Sequence, residues 1–459
     1  MNEVFLGIDV GTTAVKLGLI FKGELIYEQA RKVTTYFGEQ GERYQLADEL
    51  LDSIYLGIKE IPTELRERVG RIGFSVAMHS LMPVENCKAD KIFIWSDTQA
   101  TETIEAFRTT DLAKHFYQRT GTPIHTMSPF AKISYFKEKG LYPNVSHWFG
   151  LKELLMEAFT GEYLLDYSTA SATGLLNLEQ LDWDAEILEY LDISKKSLAQ
   201  LVEPTYTTMI RLTLSEELEL PESTNITIGA SDGCLAAYGS YISTGVANSL
   251  TVGTSAAIRK VSQQAIFDIE RQNFCYYLSP TMYVVGAPSN NGGCVLEWAS
   301  KTLAENQLEF YETLSNQLEQ SPIGANGLRF HPYVNGERAP FWRSGLTAEF
   351  KYMTIKHTKA DLRRAVVEGV LMNIRTLKEM VGEISALTLS GGFFTNPALR
   401  TMTAEVLGTT CYHEQSTEPI FGLYYLLQET AVHNEEHLSV HFDQQKVEAY
   451  TTLYQDYFE

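Results

Sequence analysis

The chain has 459 residues, 44% of them hydrophobic, and a formal net charge of −21. A chain of that size is expected to fold as two or three domains with a large core that needs no covalent staples. Its acidity argues against a surface that holds nucleic acid or anionic membrane, but not against small anions held by backbone N–H groups and a metal ion.

The predicted elements begin with a near-continuous apolar strand over residues 4–10, the pattern of a buried central strand. A second strand covers 15–21, Lys22-Gly23-Glu24 turns, and a third starts at Leu25, so the chain opens as a meander. Residues 43–60 have helical spacing, with Leu46, Leu50, Leu51, Ile54, Tyr55 and Ile58 on one face. Residues 71–78 and 91–95 read as neighbouring strands. Residues 152–159 read as a helix closed by Thr160-Gly161, glycine being the usual residue just past a helix end. Residues 227–230 form a strand, and Asp232 opens a helix towards Gly239. A junction over 239–248 predicts an N-terminal lobe of residues 1–242 and a C-terminal lobe of residues 243–459. The second half continues with strands, the loop Ser289-Asn290-Asn291-Gly292-Gly293, and helices near 294–318 and 359–382. A strand over 387–390 enters Gly391-Gly392, and a helix runs from about Asn396 to Leu407. Mixed strands followed by alternating helix and strand predict an α/β fold.

The five cysteines, Cys87, Cys234, Cys275, Cys294 and Cys411, are widely spaced with no C-x-x-C pair. A disulfide framework or zinc site is therefore not expected, and a reducing compartment fits. The chain has no basic-then-apolar leader and no apolar run long enough for a bilayer. A cytoplasmic protein is expected, with no membrane or nucleic-acid partner.

One short loop occurs twice. Val10-Gly11-Thr12-Thr13-Ala14 aligns with Val252-Gly253-Thr254-Ser255-Ala256, about half the chain later. Glycine lets the backbone approach a ligand, and successive N–H groups and hydroxyls can cradle a polyphosphate. Lys16 adds a cation after the first copy. Asp9 stands before the first copy, where the second has Thr251. A lone carboxylate suits Mg²⁺, which keeps several waters. Either loop alone also fits a plain hairpin turn, but the repeat predicts a two-lobed nucleotide machine with a cleft.

Asp232 fits two roles. One is an N-cap. The other is a carboxylate in a cleft, taking the proton of an attacking hydroxyl. An ordinary Asp, with a pKa of about 3.9, suffices for phosphoryl transfer, where a loose transition state lets the base take its proton late. Gly391-Gly392 allows close approach of a flat ligand or a phosphate, or is an ordinary turn. Met78-His79-Ser80 and Trp95-Ser96-Asp97 sit at strand ends, where α/β sheets bind ligands. His79 also reads as a structural histidine, and Trp95 as a core residue.

In this order the motifs resemble those of the FGGY carbohydrate kinases, within the actin-like ATPase superfamily, over nearly the whole chain. Residues 7–16 and 252–255 are similar to the family's two phosphate loops. Residues 160–174, with Asp182-Trp183, resemble its TGE…DYS-x-AS segment, and Gly229-Ala230-Ser231-Asp232-Gly233 the segment with the catalytic Asp. Residues 332–340 resemble PY-x-x-GER-x-P, and residues 391–408 the adenosine-side segment. Ala77-Met78-His79-Ser80, Ile94-Trp95-Ser96-Asp97 and Asn290–Gly293 with Glu297-Trp298 look most like the gluconate kinases of that family.

The resemblance implies two ribonuclease-H-like, actin-like ATPase lobes around a central cleft, with the sugar on the first and ATP on the second. It implies Asp232 as the base touching the substrate, and Met78, His79, Ser80, Trp95 and Asp97 in or near the sugar site. It implies Asp9 as a Mg²⁺ ligand. Gly11, Thr12, Thr13, Lys16, Gly253, Thr254, Ser255, Gly391, Gly392 and Asn396 would serve ATP. Three departures stand out. Gln99 replaces an Arg common in relatives, so a fixed cation is lost. Phe393-Phe394 follow the glycine pair where smaller residues are common, which predicts a reshaped adenine pocket. Gly422-Leu423-Tyr424-Tyr425 replaces a helix of smaller residues.

The expected activity is phosphorylation of the terminal hydroxyl of gluconate to 6-phosphogluconate with ATP and Mg²⁺. Arg338 and His79 are the candidates for its carboxylate. The alternatives are a kinase for xylulose, ribulose or glycerol, and a non-catalytic ATP-dependent switch that closes on a partner. The expected partner is a small sugar or sugar acid, with a homodimer left open.

Overall fold

The computed structural model describes residues 3–86, 88–414, 419–430, 432 and 439–459, so Cys87 lies outside the described residues. The chain builds two six-stranded mixed sheets. The first contains β1 (Val4–Val10), β2 (Ala14–Phe21), β3 (Glu24–Lys32), β4 (Val69–Val76), β5 (Thr207–Met209) and β6 (Asn225–Ser231), in the order β5-β6-β4-β1-β2-β3. The second contains β7 (Asn248–Val252), β8 (Ala256–Ser262), β9 (Phe274–Ser279), β10 (Met282–Ser289), β11 (Ala386–Ser390) and β12 (Thr410–His413), in the order β9-β10-β8-β7-β11-β12.

The repeat seen in one loop extends over both sheets. β1 and β3 each pair antiparallel with β2, while β1-β4-β6 run parallel. β7 and β10 pair in the same way with β8, and β7-β11-β12 run parallel. β5 and β9 are extra strands on opposite edges. The correspondence reaches side chains. Asp9 is in register with Ser75, whose hydroxyl donates to it at 2.6 Å. Thr251 is in register with Ser390, and their hydroxyls lie 3.1 Å apart. All seven residues of β1 are buried, as expected for a central strand covered on both faces; hence its near-continuous apolar run, broken only by Asp9.

Seven helices matter for the site: α1 (Ala47–Glu60), α2 (Leu151–Thr160), α3 (Asp232–Thr244), α4 (Gly293–Thr302), α5 (Lys359–Glu379), α6 (Pro397–Leu407) and α7 (Pro419–Leu427). The helix expected over 43–60 loses its first turn. Arg43–Leu46 is a strand that pairs with Lys91–Phe93, and only then does α1 bury Leu50, Ile54 and Ile58. Cross-strand pairing with a distant segment overrides the helical period there. The strands expected over 71–78 and 91–95 end at Val76 and Phe93 and lie in different sheets. Between them the chain turns through His79 at φ 67°. α3 runs to Thr244, past the expected end.

α3 and α7 follow the equivalent strands β6 and β12 and cross between the sheets. On the first sheet, Ile420 and Leu423 of α7 occupy the space above Gly7, Gly18 and Gly73. Burial of each such side chain contributes about 1.5–3 kcal/mol. At the crossing a Cβ on Gly422 would lie 1.9 Å from the Leu235 carbonyl oxygen. Only glycine permits this approach. No helix among the described residues is long and apolar enough to cross a membrane.

Candidate active site

A cleft of about 380 Å³ opens between the two halves, within the usual size range of ligand sites. Thr12, Met78, His79, Trp95 and Met127 line it from the first half. Ser249, Thr251, Ser255, Arg259, Tyr276, Arg338 and Ser390 line it from the second, and the start of α3 lies against it.

Asp232 sits at the first position of α3, half-buried and facing this cleft. The N-cap position belongs to Ser231, whose side chain makes no capping bond, and Asp232 follows it. Its Oδ1 accepts the Gly233 N–H at 2.6 Å. Burial pushes its pKa above the ordinary value, while the Gly233 N–H and the Arg259 charge pull it back. The positive end of the helix acts in the same downward direction.

A buried polar scaffold fixes this corner. Lys152 of α2 donates to the carbonyls of Phe74 (3.2 Å) and Ile228 (2.5 Å) and pairs with Asp166 at 3.3 Å. Asp166 caps the next helical turn through the Thr169 N–H at 2.8 Å, and Ser168 in that turn lies 3.0 Å from the Ser231 hydroxyl. The TGE…DYS segment therefore positions the residue before Asp232 instead of contacting the cleft.

The expected sugar residues separate. His79 and Met78 line the cleft, and Trp95 joins it with 37% of its surface exposed. The His79 Nδ1 lies 2.7 Å from the Ala172 carbonyl oxygen, which can only accept, so Nδ1 carries the hydrogen. Burial and the charge of Lys132 push this imidazole down to about 3. His79 is neutral, with Nε2 an acceptor 3.5 Å from the Tyr276 hydroxyl. Ser80 and Asp97 do not line the cleft. The Ser80 hydroxyl accepts the Leu151 N–H at the start of α2 at 2.9 Å. Asp97, 1% exposed, accepts the N–H groups of Arg43 (2.9 Å) and Gln99 (3.3 Å).

The two Gly-Thr loops face the same region from opposite halves. Thr12 presents its carbonyl to Gln45 at 2.8 Å, while the carbonyls of Gly253 and Thr254 accept the Gly293 (2.7 Å) and Cys294 (3.1 Å) N–H groups at the start of α4. Gly253 and Gly392 stand open, with no atom within 4 Å of a Cβ position. Gly391 has φ 100°, and a Cβ there would lie 2.5 Å from the Val252 carbonyl oxygen. The glycine pair thus closes onto the end of β7 beside the second loop. Lys16 lines a different cavity, with Gln29, Ile420 and Phe421. Asn396 caps α6 through the Ala398 N–H at 2.9 Å. Phe393 and Phe394 are buried in the core of the second half.

The N–H groups of Gly11 and Gly253 close their own turns on the Ala14 and Ser255 carbonyls, both at 3.0 Å, and the open Gly392 turn with the loop hydroxyls fits a polyphosphate. Among the described residues no group of three or more His, Cys, Asp or Glu side chains could hold a metal ion. A hydrated Mg²⁺ that takes most of its ligands from phosphate and water needs only a carboxylate such as Asp9, buried at the end of β1.

The sequence reading missed Arg259, Tyr276 and the Thr251–Ser390 pair. Strand alternation was the available signal for Arg259. Ala257 and Arg259, two apart on β8, both line the cleft together with Ser255 just before the strand. Glu337 was also unassigned. It is 1% exposed and accepts from Ser289 (2.6 Å), Asn373 (2.7 Å), Asn291 (3.2 Å) and the N–H groups of Asn290 and Arg338 (both 2.8 Å). This knot joins the 289–291 loop to the GER segment and to α5.

Known proteins share this arrangement. Residues 4–239 match the N-terminal domain of the FGGY family of carbohydrate kinases, and residues 248–423 match its C-terminal domain. The chain is similar to a gluconokinase of Bacillus subtilis (strain 168), 32% identical over 92% of this chain and 88% of that protein. Two solved structures from Lactobacillus acidophilus superpose with a TM-score of 0.91 at 27% identity. One is a ligand-bound xylulose kinase, aligned over 99% of this chain and 97% of that one. The other is a gluconate kinase, aligned over 99% and 96%. With both domains matched in order and the duplicated sheets facing one cleft, the chain belongs to the FGGY family of carbohydrate kinases.

Proposed function

We propose that this carbohydrate kinase transfers the γ-phosphate of ATP to the terminal hydroxyl of gluconate, giving 6-phosphogluconate. Asp232 carries the reading: a half-buried carboxylate at the first position of α3 lies in a cleft lined by both Gly-Thr loops. The similarity to a gluconokinase supports gluconate as the acceptor. When bound, Mg²⁺–ATP supplies the phosphoryl group and the metal offsets charge on the phosphate oxygens.

In this mechanism Asp232 accepts a hydrogen bond from the attacking hydroxyl, orients it, and takes its proton as the new bond forms. Its location at a helix N-terminus stabilises the ionised form that this role requires. Thr12, Thr13, Thr254 and Ser255, with the backbone of Gly391 and Gly392, hold phosphate oxygens, while Gly11 and Gly253 shape the two turns. Asp9 orients the hydrated metal ion. Met78, His79 and Trp95 bind the acceptor, with His79 a neutral hydrogen-bond acceptor. Residues 1–242 carry the sugar side and residues 243–459 the nucleotide side. Closure of the lobes limits attack by water. The described cysteines are free thiols, which supports a reducing, cytoplasmic setting.

An ADP-coupled assay over gluconate, xylulose, ribulose and glycerol tests this reading. The highest kcat/KM is expected with gluconate, with activity lost in EDTA and restored by Mg²⁺. A preference for a neutral ketose would transfer the assignment to the pentulose kinases, a reading favoured by the equally close xylulose kinase structure. ATP binding without ADP formation on any sugar would point to a non-catalytic switch.

A further inference from the structure

Two guanidinium groups line the cleft without full pairing. Arg259 and Arg338 each bury an Nε that has no hydrogen-bond partner among the described residues. Arg259 approaches the start of α3, where a Cβ on Gly233 would lie 3.6 Å from its Nε. Arg338 is held from behind. Its Nη2 donates to the Ser289 carbonyl at 3.0 Å, its N–H is bound by Glu337, and its guanidinium carbon lies 5.5 Å from the Trp95 ring centre.

One carboxylate acts on each guanidinium, Asp232 on Arg259 and Glu337 on Arg338. The charge of Arg259 acts on Asp232 and on Arg338, and the two arginines disfavour each other. Burial pushes Arg338 down to about 10, still charged at neutral pH. Glu337 is saturated by its five donors. Glu414, also on the cleft, is bonded to Ser240 (2.6 Å) and Ser243 (3.1 Å). His79 is neutral and offers an acceptor on its cleft side. Two half-buried guanidinium groups of like charge, each with an unpartnered buried Nε, leave donors unsatisfied. A planar anion with two acceptor oxygens is the group that a guanidinium fork matches.

We propose that Arg259 and Arg338 bind the carboxylate of the acceptor sugar acid, and so select acids over neutral sugars. The assignment rests on the gluconate reading above and names the residues that enforce it. It also relocates the cation missing at Gln99 to the second lobe. Arg259 lies beside the start of α3 and Arg338 beside Trp95, so both forks reach the acceptor from the second half while Asp232 faces its reacting hydroxyl.

The test compares gluconate with gluconamide, in which a neutral amide replaces the carboxylate. For the wild type, kcat/KM is expected to favour gluconate by roughly 10–100-fold, the usual worth of a charged hydrogen bond. In Arg259→Met and Arg338→Met that ratio is expected to collapse towards one, mainly through KM for gluconate. Arg259→Lys and Arg338→Lys should retain part of the preference. Retention of an ADP-induced rise in Tm identifies variants that fold, and the Lys variants carry the comparison if a Met variant does not. Equal losses on both substrates overturn the assignment alone, and for Arg259 would indicate a role at the phosphate. A wild type that phosphorylates pentuloses and neither gluconate nor gluconamide overturns the substrate reading together with it.

Discussion

Asp232 combines two opposed influences. Burial disfavours its charge, while a helix N-terminus, the Gly233 N–H and Arg259 favour it. The acid limb of kcat/KM is therefore expected above the ordinary carboxylate range. Activity needs the ionised form and falls as pH drops through that raised value. Asp232→Asn keeps the shape and removes the proton acceptor. It is expected to lower kcat by about 10²–10⁴-fold, with ATP affinity by calorimetry preserved. Near-wild-type turnover would remove Asp232 from the base role. The sequence placed this residue correctly at a strand–helix junction but could not separate cap from base. That distinction depends on the cleft that Asp232 faces, which residues of both halves line.

At the scale of elements, the nucleotide side depends on a tight junction between β7 and the turn after β11. Gly391 adopts φ 100° against the Val252 carbonyl. Gly391→Ala should cost about 1–3 kcal/mol of stability through backbone strain, read by urea unfolding, and weaken ADP binding. Unaltered ADP affinity in a folded variant would detach this turn from the nucleotide site. The same scale explains the helix misread over 43–60. Its apolar residues satisfy a helical period, yet Arg43–Leu46 pairs with Lys91–Phe93 and supplies Gln45 to the first loop. A local period carries no information about a partner strand nearly fifty residues away.

Across the whole molecule, α3 and α7 form the joint between two similar halves. Each follows the last parallel strand of its own sheet, and α7 lies on the other sheet. Further ties join the halves, including the Tyr117 hydroxyl on the Asn273 carbonyl at 2.7 Å and Arg108 on the Phe341 carbonyl at 3.2 Å. Gly422→Ala would drive a methyl group into the Leu235 carbonyl. A loss of about 1–3 kcal/mol is expected from overpacking, with kcat and KM both changed because the joint governs closure. An unchanged unfolding midpoint would contradict this close crossing.

The sequence by itself determined the duplication, the buried central strands, the two Gly-Thr loops and the position of Asp232. These depend on chain neighbours and on hydrophobic period, which are local. Only the tertiary structure decided which polar side chains reach the cleft. Ser80, Asp97 and Asn396 are consumed by N–H groups of Leu151, Arg43 and Ala398. Lys16 faces another cavity, Arg259 enters the cleft unannounced by any motif of its own, and Arg338 of the GER segment lines it beside Trp95. The physical reason is that the direction and pairing of a polar side chain are set by strands and helices far away in the chain.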